Sequence, residues 1–182
     1  MEQSRKPHII YHSIKLGVYT ILAILVGIFR LEIVEYLKFF IASLMIFYAC
    51  EEILFDFMFS RKNFLHKIKV YLGIGEIIIS VSLFFIDLSY IGVCVTWAIW
   101  SILREALELE EIIAELKAWF PRILSLIETL TVFVFSVMLI AEPTEHHALI
   151  HIYLLIVELV LNPLTPLLDE IIRKYKKKAS KN

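Results

Sequence analysis

Cys50-Glu51-Glu52-Ile53 places two adjacent carboxylates in the last third of an apolar run that starts near Ile33 to Tyr36 and continues to about Phe59. A run of that length matches the ~20 residues an α-helix needs to cross a bilayer, so its charges stand out. Related positions follow at Leu103-Arg104-Glu105-Ala106 and Val157-Glu158-Leu159, and Glu52, Glu105 and Glu158 are separated by 53 residues each time. Glu76 and Glu128 interrupt two of the apolar runs between them. Five carboxylates thus occupy segments that otherwise exclude charge.

The composition points the same way. Hydrophobic residues make up 59% of the 182 positions and the mean hydropathy is +0.77, more than a soluble core of this size hides. The 18 Lys and Arg against 19 Asp and Glu leave a net charge of −1, but the basic residues crowd the N-terminus, a loop at 60–69 and the C-terminus. With five glycines and no Gly-rich loop, nothing supports a nucleotide, a nucleic-acid partner or another cofactor. Cys50 and Cys94 lie in separate apolar runs without CxxC spacing and read as buried thiols. No small-residue cleavage pattern follows the first apolar run, so that run reads as a retained span.

Taken in order, the chain reads as an all-α, polytopic integral membrane protein of six transmembrane helices paired into three hairpins, a pseudo-threefold repeat. The hairpins are expected at about 13–59, 67–118 and 121–172 of a single membrane domain, followed by a basic tail at 173–182. Tight turns fall near 30–36, 87–89 and 142–146, where Glu142-Pro143-Thr144-Glu145 disfavours a continuing helix. After Leu103, the run Arg104-Glu105-Ala106-Leu107-Glu108-Leu109-Glu110-Glu111 keeps helical periodicity and reads as an amphipathic extension that ends before Trp119-Phe120-Pro121. Pro121 marks a helix start, and Asn162-Pro163-Leu164-Thr165-Pro166 is expected to kink or break the last helix. Basic residues at the N-terminus, at Arg61, Lys62, His66, Lys67 and Lys69, and at Arg173-Lys174-Tyr175-Lys176-Lys177-Lys178 put both termini in the cytoplasm of a multi-pass inner (plasma) membrane protein. The 53-residue recurrence suggests parallel repeats around an axis along the membrane normal.

With three hairpins joined by short outer turns, the chain resembles the HdeD-like acid-resistance membrane proteins. Glu142-Pro143 resembles the proline that ends an odd helix in that family, and Ser101-Ile102-Leu103-Arg104 its inner end of the fourth helix. The resemblance implies a role in acid stress at the inner membrane. It departs in its few glycines (Gly17, Gly27, Gly73, Gly75 and Gly92) and in its many buried glutamates.

An ionised side chain at the bilayer centre costs about 2.5–3.5 kcal/mol on insertion scales, so such residues face a bundle interior and mark a pathway or a partner. Glu52 lies sixteen residues after Tyr36, a rise of roughly 24 Å, near the cytoplasmic edge of the membrane core. Glu105 and Glu158 are expected at a comparable depth. They read either as interfacial residues where even helices leave the membrane, or as a carboxylate ring at the inner mouth of a cavity. Glu76 and Glu128 are expected deeper, as proton or cation exchangers or as protonated packing residues. Arg104 is the natural counter-charge.

His147 and His151 share a helix face near His146, Glu142 and Glu145, which makes them weak candidates for a metal or external pH site, the alternative being a solvated cluster. Trp97, Trp100 and Trp119 read as packing and interfacial anchors. Glu51-Glu52 resembles the paired glutamates of CAAX-type intramembrane proteases, but that motif needs an arginine after EExxx where Asp56 stands. An enzyme is therefore a minor alternative. The expected function is proton- or cation-linked transport or an acid-stress response. The competing reading is a non-catalytic membrane scaffold acting through its acidic helix and basic tail. The expected partners are membrane lipid and a homo-oligomer or other membrane protein, with the ion unspecified.

Overall fold

The computed structural model describes residues 6–59 and 64–179, and over them the chain is all-helical. The helices are α1 (Lys6–Ile28), α2 (Arg30–Glu35), α3 (Leu37–Phe59), α4 (Phe64–Phe85), α5 (Tyr90–Glu115), α6 (Trp119–Ala141) and α7 (Glu145–Ala179). Four are long and apolar enough to cross a membrane: α1 over Tyr11–Ile28, α5 over Tyr90–Glu110, α6 over Trp119–Ala141 and α7 over Glu145–Lys176. α4 carries a shorter apolar stretch, Val70–Phe85. Of the expected basic loop, Arg61 and Lys62 lie outside the described residues, as do Arg5 and the last three residues of the tail.

The polar stretch at 30–36, expected as a turn, is itself helical. It contains no glycine or proline to break the backbone ladder, and the Tyr36 N–H donates to the Glu32 carbonyl at 3.0 Å. Arg30 Nη1 donates to the Gly27 carbonyl at 2.9 Å, which satisfies an end carbonyl of α1. The other two tight turns fall where the sequence puts them, because each supplies a cap. Ser89 Oγ accepts the Gly92 N–H at 3.3 Å to start α5, and Thr144 Oγ1 accepts the His147 N–H at 3.3 Å to start α7.

Residues Met1–Leu31 with Cys94–Asn182 form one compact unit, and Glu32–Val93 form another. In the second unit α3 packs on α4 as an antiparallel pair. Lys38 Nζ donates to the Ile86 carbonyl at 3.3 Å, Phe39 stacks on Phe84 at 5.9 Å, and Gly73 lies against Ala49 and Ile53. Facing residue numbers rise on one helix as they fall on the other. The glycine permits close approach, and Ile41, Ala42, Met45, Tyr48 and Ala49 form the buried face of α3.

In the first unit α7 is the central helix, packed by α1 and by α6. α1 buries Tyr19, Ala23 and Val26 and exposes Ile14, Val18, Ile21, Leu25 and Ile28, two stripes at helical spacing. α6 has its polarity turned inward. Pro121, Ser125, Glu128, Thr129, Val132, Ser136 and Leu139 are buried, whereas Ile123, Ile127, Leu130, Val134 and Val137 are exposed. A helix with polar residues inside and branched apolar residues outside suits an apolar surrounding. Hydroxyls answer that surrounding by bonding back into their own helices: Thr20 to Leu16, Thr131 to Ile127, and Ser136 to Val132.

The prolines of α7 do not end it. Pro163 and Pro166 lie inside a 35-residue helix, with Pro163 fully buried. Neighbouring helices can stabilise a proline-bearing transmembrane helix in this way. The expected break at 162–166 is therefore a continuation.

Candidate functional site

The register of α6 against α7 follows from their capped turn. Ser136 meets His151, Glu128 meets Glu158, and Ala118 meets Asp169, an antiparallel hairpin in straight step. Asp169 anchors its lower end: Oδ1 accepts the backbone N–H groups of Lys117 at 3.0 Å and Ala118 at 2.6 Å, and Oδ2 pairs with Arg173 at 2.8 Å. The carboxylate stands at the N-terminus of α6, where the helix dipole favours negative charge. Arg122 closes the same corner by donating Nε to the Leu116 carbonyl at 2.9 Å and a second bond from Nη2.

α5 meets α7 in the opposite sense. Trp97 stacks on His151 with centroids 4.9 Å apart, Glu105 lies by Glu158, and Asn162 Nδ2 donates to Glu108 Oε2 at 3.3 Å. The partners differ by 53 or 54 in number, so the two helices run parallel, one repeat apart. The spacing that stood out in the sequence is here a physical alignment.

The two registers together bring Glu105 of α5, Glu128 of α6 and Glu158 of α7 to one place, with a carboxylate oxygen of each within 4.8 Å of the others. Glu105 and Glu128 are buried and Glu158 is half-buried. Two unit charges this close repel by about 3–4 kcal/mol at an effective dielectric near 20, so three carboxylates there need protons or a cation between them. Among the described residues this is the only group of three or more acids, histidines or cysteines placed to hold a metal ion.

The three glutamates stand at one level of their helices. Glu128 follows Trp119 by nine residues and precedes Ala141 by thirteen, which places it about 14 and 20 Å from the ends of α6. Glu158 follows Glu145 by thirteen residues, again about 20 Å. Glu105 and Glu158 therefore stand level with Glu128, well inside the helix lengths. α7 runs on to Ala179, through the break expected at 162–166.

The remaining sequence candidates have other surroundings. Glu52 is half-buried on α3 and Glu76 is buried on α4, both in the second unit. Arg104 lies over Trp100, with Cζ 5.5 Å from the ring centroid. His147 donates Nδ1–H to the Glu142 carbonyl at 2.7 Å. The His151 Nε2 is 3.2 Å from Ser136 Oγ, which also lies 2.8 Å from the Val132 carbonyl. The two histidines are thus held by different partners. Cys94 is buried as expected, whereas Cys50 is exposed. Trp97 and Trp100 are packed and Trp119 is exposed at the start of α6.

Thr129, Asn162 and Asp169 were not singled out in the sequence. A signal was present: Glu158, Asn162, Thr165 and Asp169 recur at the spacing of one helix face, through the two prolines. No family model, curated protein or solved structure matches the chain.

Proposed function

We propose that the chain is an integral membrane protein of the inner membrane whose buried glutamate centre binds and passes protons or a small cation. The observation that carries this reading is the convergence of Glu105, Glu128 and Glu158 from three helices inside an apolar-faced bundle. Residues from separate helices meeting at one level are what a pathway across a bilayer requires. In this reading six spans form three hairpins at 13–59, 67–118 and 121–172, with both termini cytoplasmic. The parallel alignment of α5 and α7 one repeat apart supports such an arrangement. The acid-stress role implied by the resemblance to HdeD-like proteins fits a site that trades protons. Arg104 tunes the centre electrostatically, and Glu52 on α3 and Glu76 on α4 are further carboxylates in the other unit.

Purified protein in liposomes tests the proposal. An imposed proton or cation gradient is expected to dissipate through the wild type and not through Glu128→Gln or Glu105→Gln. Equal flux in wild type and both variants removes the centre from the mechanism. An absence of flux, with one stoichiometric partner recovered by crosslinking in native membranes, supports the scaffold reading instead.

A further inference from the structure

We infer that Glu105, Glu128 and Glu158, with the Thr129 hydroxyl, form a binding site for one hard divalent cation of calcium or manganese size. The inference rests on the functional reading above and narrows its ion. Acidic clusters on protein surfaces commonly hold nothing, so burial and orphaned oxygens decide the matter here. Glu105 is 3% exposed, Glu128 6% and Thr129 3%. Glu105 Oε2, Glu128 Oε1 and Thr129 Oγ1 are each fully enclosed with no hydrogen-bond partner. Buried polar atoms are almost always satisfied, and three orphans together point to a missing ligand. Thr129 is independent of the carboxylates in kind. Its hydroxyl lies close enough to the Glu105 carboxyl to interact with it, yet Oγ1 meets no acceptor or donor in full hydrogen-bonding geometry. A cation between them would accept lone pairs from both.

The chemistry of the donors selects the ion. All of them are oxygens, whereas zinc and copper favour nitrogen and sulfur. The nearest histidine on α7, His151, lies seven residues from Glu158, about 10 Å along the axis, and is held by Ser136 and Trp97. Spacing separates the hard ions. Oxygens on opposite sides of calcium lie about 4.6–5.2 Å apart, while magnesium needs about 4.0–4.2 Å in a near-ideal octahedron. The three oxygens lie within 4.8 Å of one another, a bound wide enough to admit the larger and more tolerant ions. Asn162 and Glu108, bonded to each other one turn below, brace two of the three helices that carry the ligands.

The test uses the full-length protein in lipid nanodiscs, stripped with chelator and titrated with manganese, free Mn²⁺ being read by its electron paramagnetic resonance signal. One Mn²⁺ per chain is expected, displaced by calcium more readily than by magnesium. Glu105→Gln and Glu128→Gln should each weaken binding at least about tenfold and Thr129→Val by less. Glu110→Gln, on the exposed face of α5, should leave it unchanged. No saturable binding, or an equal loss in Glu110→Gln, overturns the site. Should the glutamine variants fail to fold, the wild type decides by itself. Dicyclohexylcarbodiimide, which modifies carboxyl groups in apolar surroundings, should label the three glutamates less when Mn²⁺ is present, and labelling indifferent to Mn²⁺ overturns the site. Proton flux that persists in chelator with no Mn²⁺ binding refutes the metal site and leaves the proton reading standing.

Discussion

Asp169 carries the most demanding test of the bundle. Its carboxylate is 1% exposed and accepts two backbone N–H groups at 3.0 and 2.6 Å from the corner between α5 and α6, and it also pairs with Arg173. Hydrogen bonds to charged groups contribute about 1.5–3 kcal/mol each, so Asp169→Ala should cost about 3–6 kcal/mol through the backbone bonds alone. The Arg173 side chain is 42% exposed and its pair is an i,i+4 contact, worth at most about 1 kcal/mol after solvent screening. For a chain of this length, 1 kcal/mol moves the melting temperature by about 2–4 °C. Asp169→Ala should therefore lower it by at least about 6–12 °C, and Arg173→Ala by no more than about 4 °C. Thermal unfolding in detergent, with wild type and variants at matched concentration, measures both. Asp169→Asn, which keeps one acceptor oxygen, should fall between them. Equal losses in Arg173→Ala and Asp169→Ala would refute the reasoning, because the ion pair and not the backbone anchor would then hold the corner.

Two further predictions address packing. A Cβ at Gly73 would meet the Ala49 carbonyl at 3.4 Å and the Ile53 side chain at 3.5 Å, ordinary contact distances, so Gly73→Ala should be nearly neutral. Gly73→Leu should part α3 from α4, which a disulfide engineered between those helices would report as a lost crosslink. Trp97 is 1% exposed and covers His151, so Trp97→Ala should cost about 3–5 kcal/mol. Amide hydrogen exchange in mid-α7 should rise with it, and unchanged protection there would show that the stack holds nothing in place.

Much of the helical order was legible along the chain, because caps and turns are local. Ser89 and Thr144 start helices by bonding residues three positions on, and the apolar runs between them have the length a bilayer demands. The continuation through Asn162-Pro163-Leu164-Thr165-Pro166 was not legible. A proline's effect on a helix depends on what neighbouring helices do with the freed carbonyls, and no local pattern reports that. Nor was the meeting of Glu105 and Glu158 with Glu128 legible, because the 53-residue interval groups them with Glu52.

The sequence alone determined that this chain is built of apolar helical runs and that five glutamates interrupt them. It also contained the interval of 53 residues that links Glu105 to Glu158. Only the tertiary structure decided that this interval is a parallel alignment of α5 with α7, and that the α6–α7 hairpin brings Glu128 to the same level. The reason is physical. Periodicity fixes which face of a helix a residue occupies, whereas the partner it meets depends on register between helices. The α6–α7 register starts from their capped turn, but the level at which α5 joins them goes with contacts between residues far apart in the chain, such as Asn162 with Glu108 and Asp169 with the α6 corner.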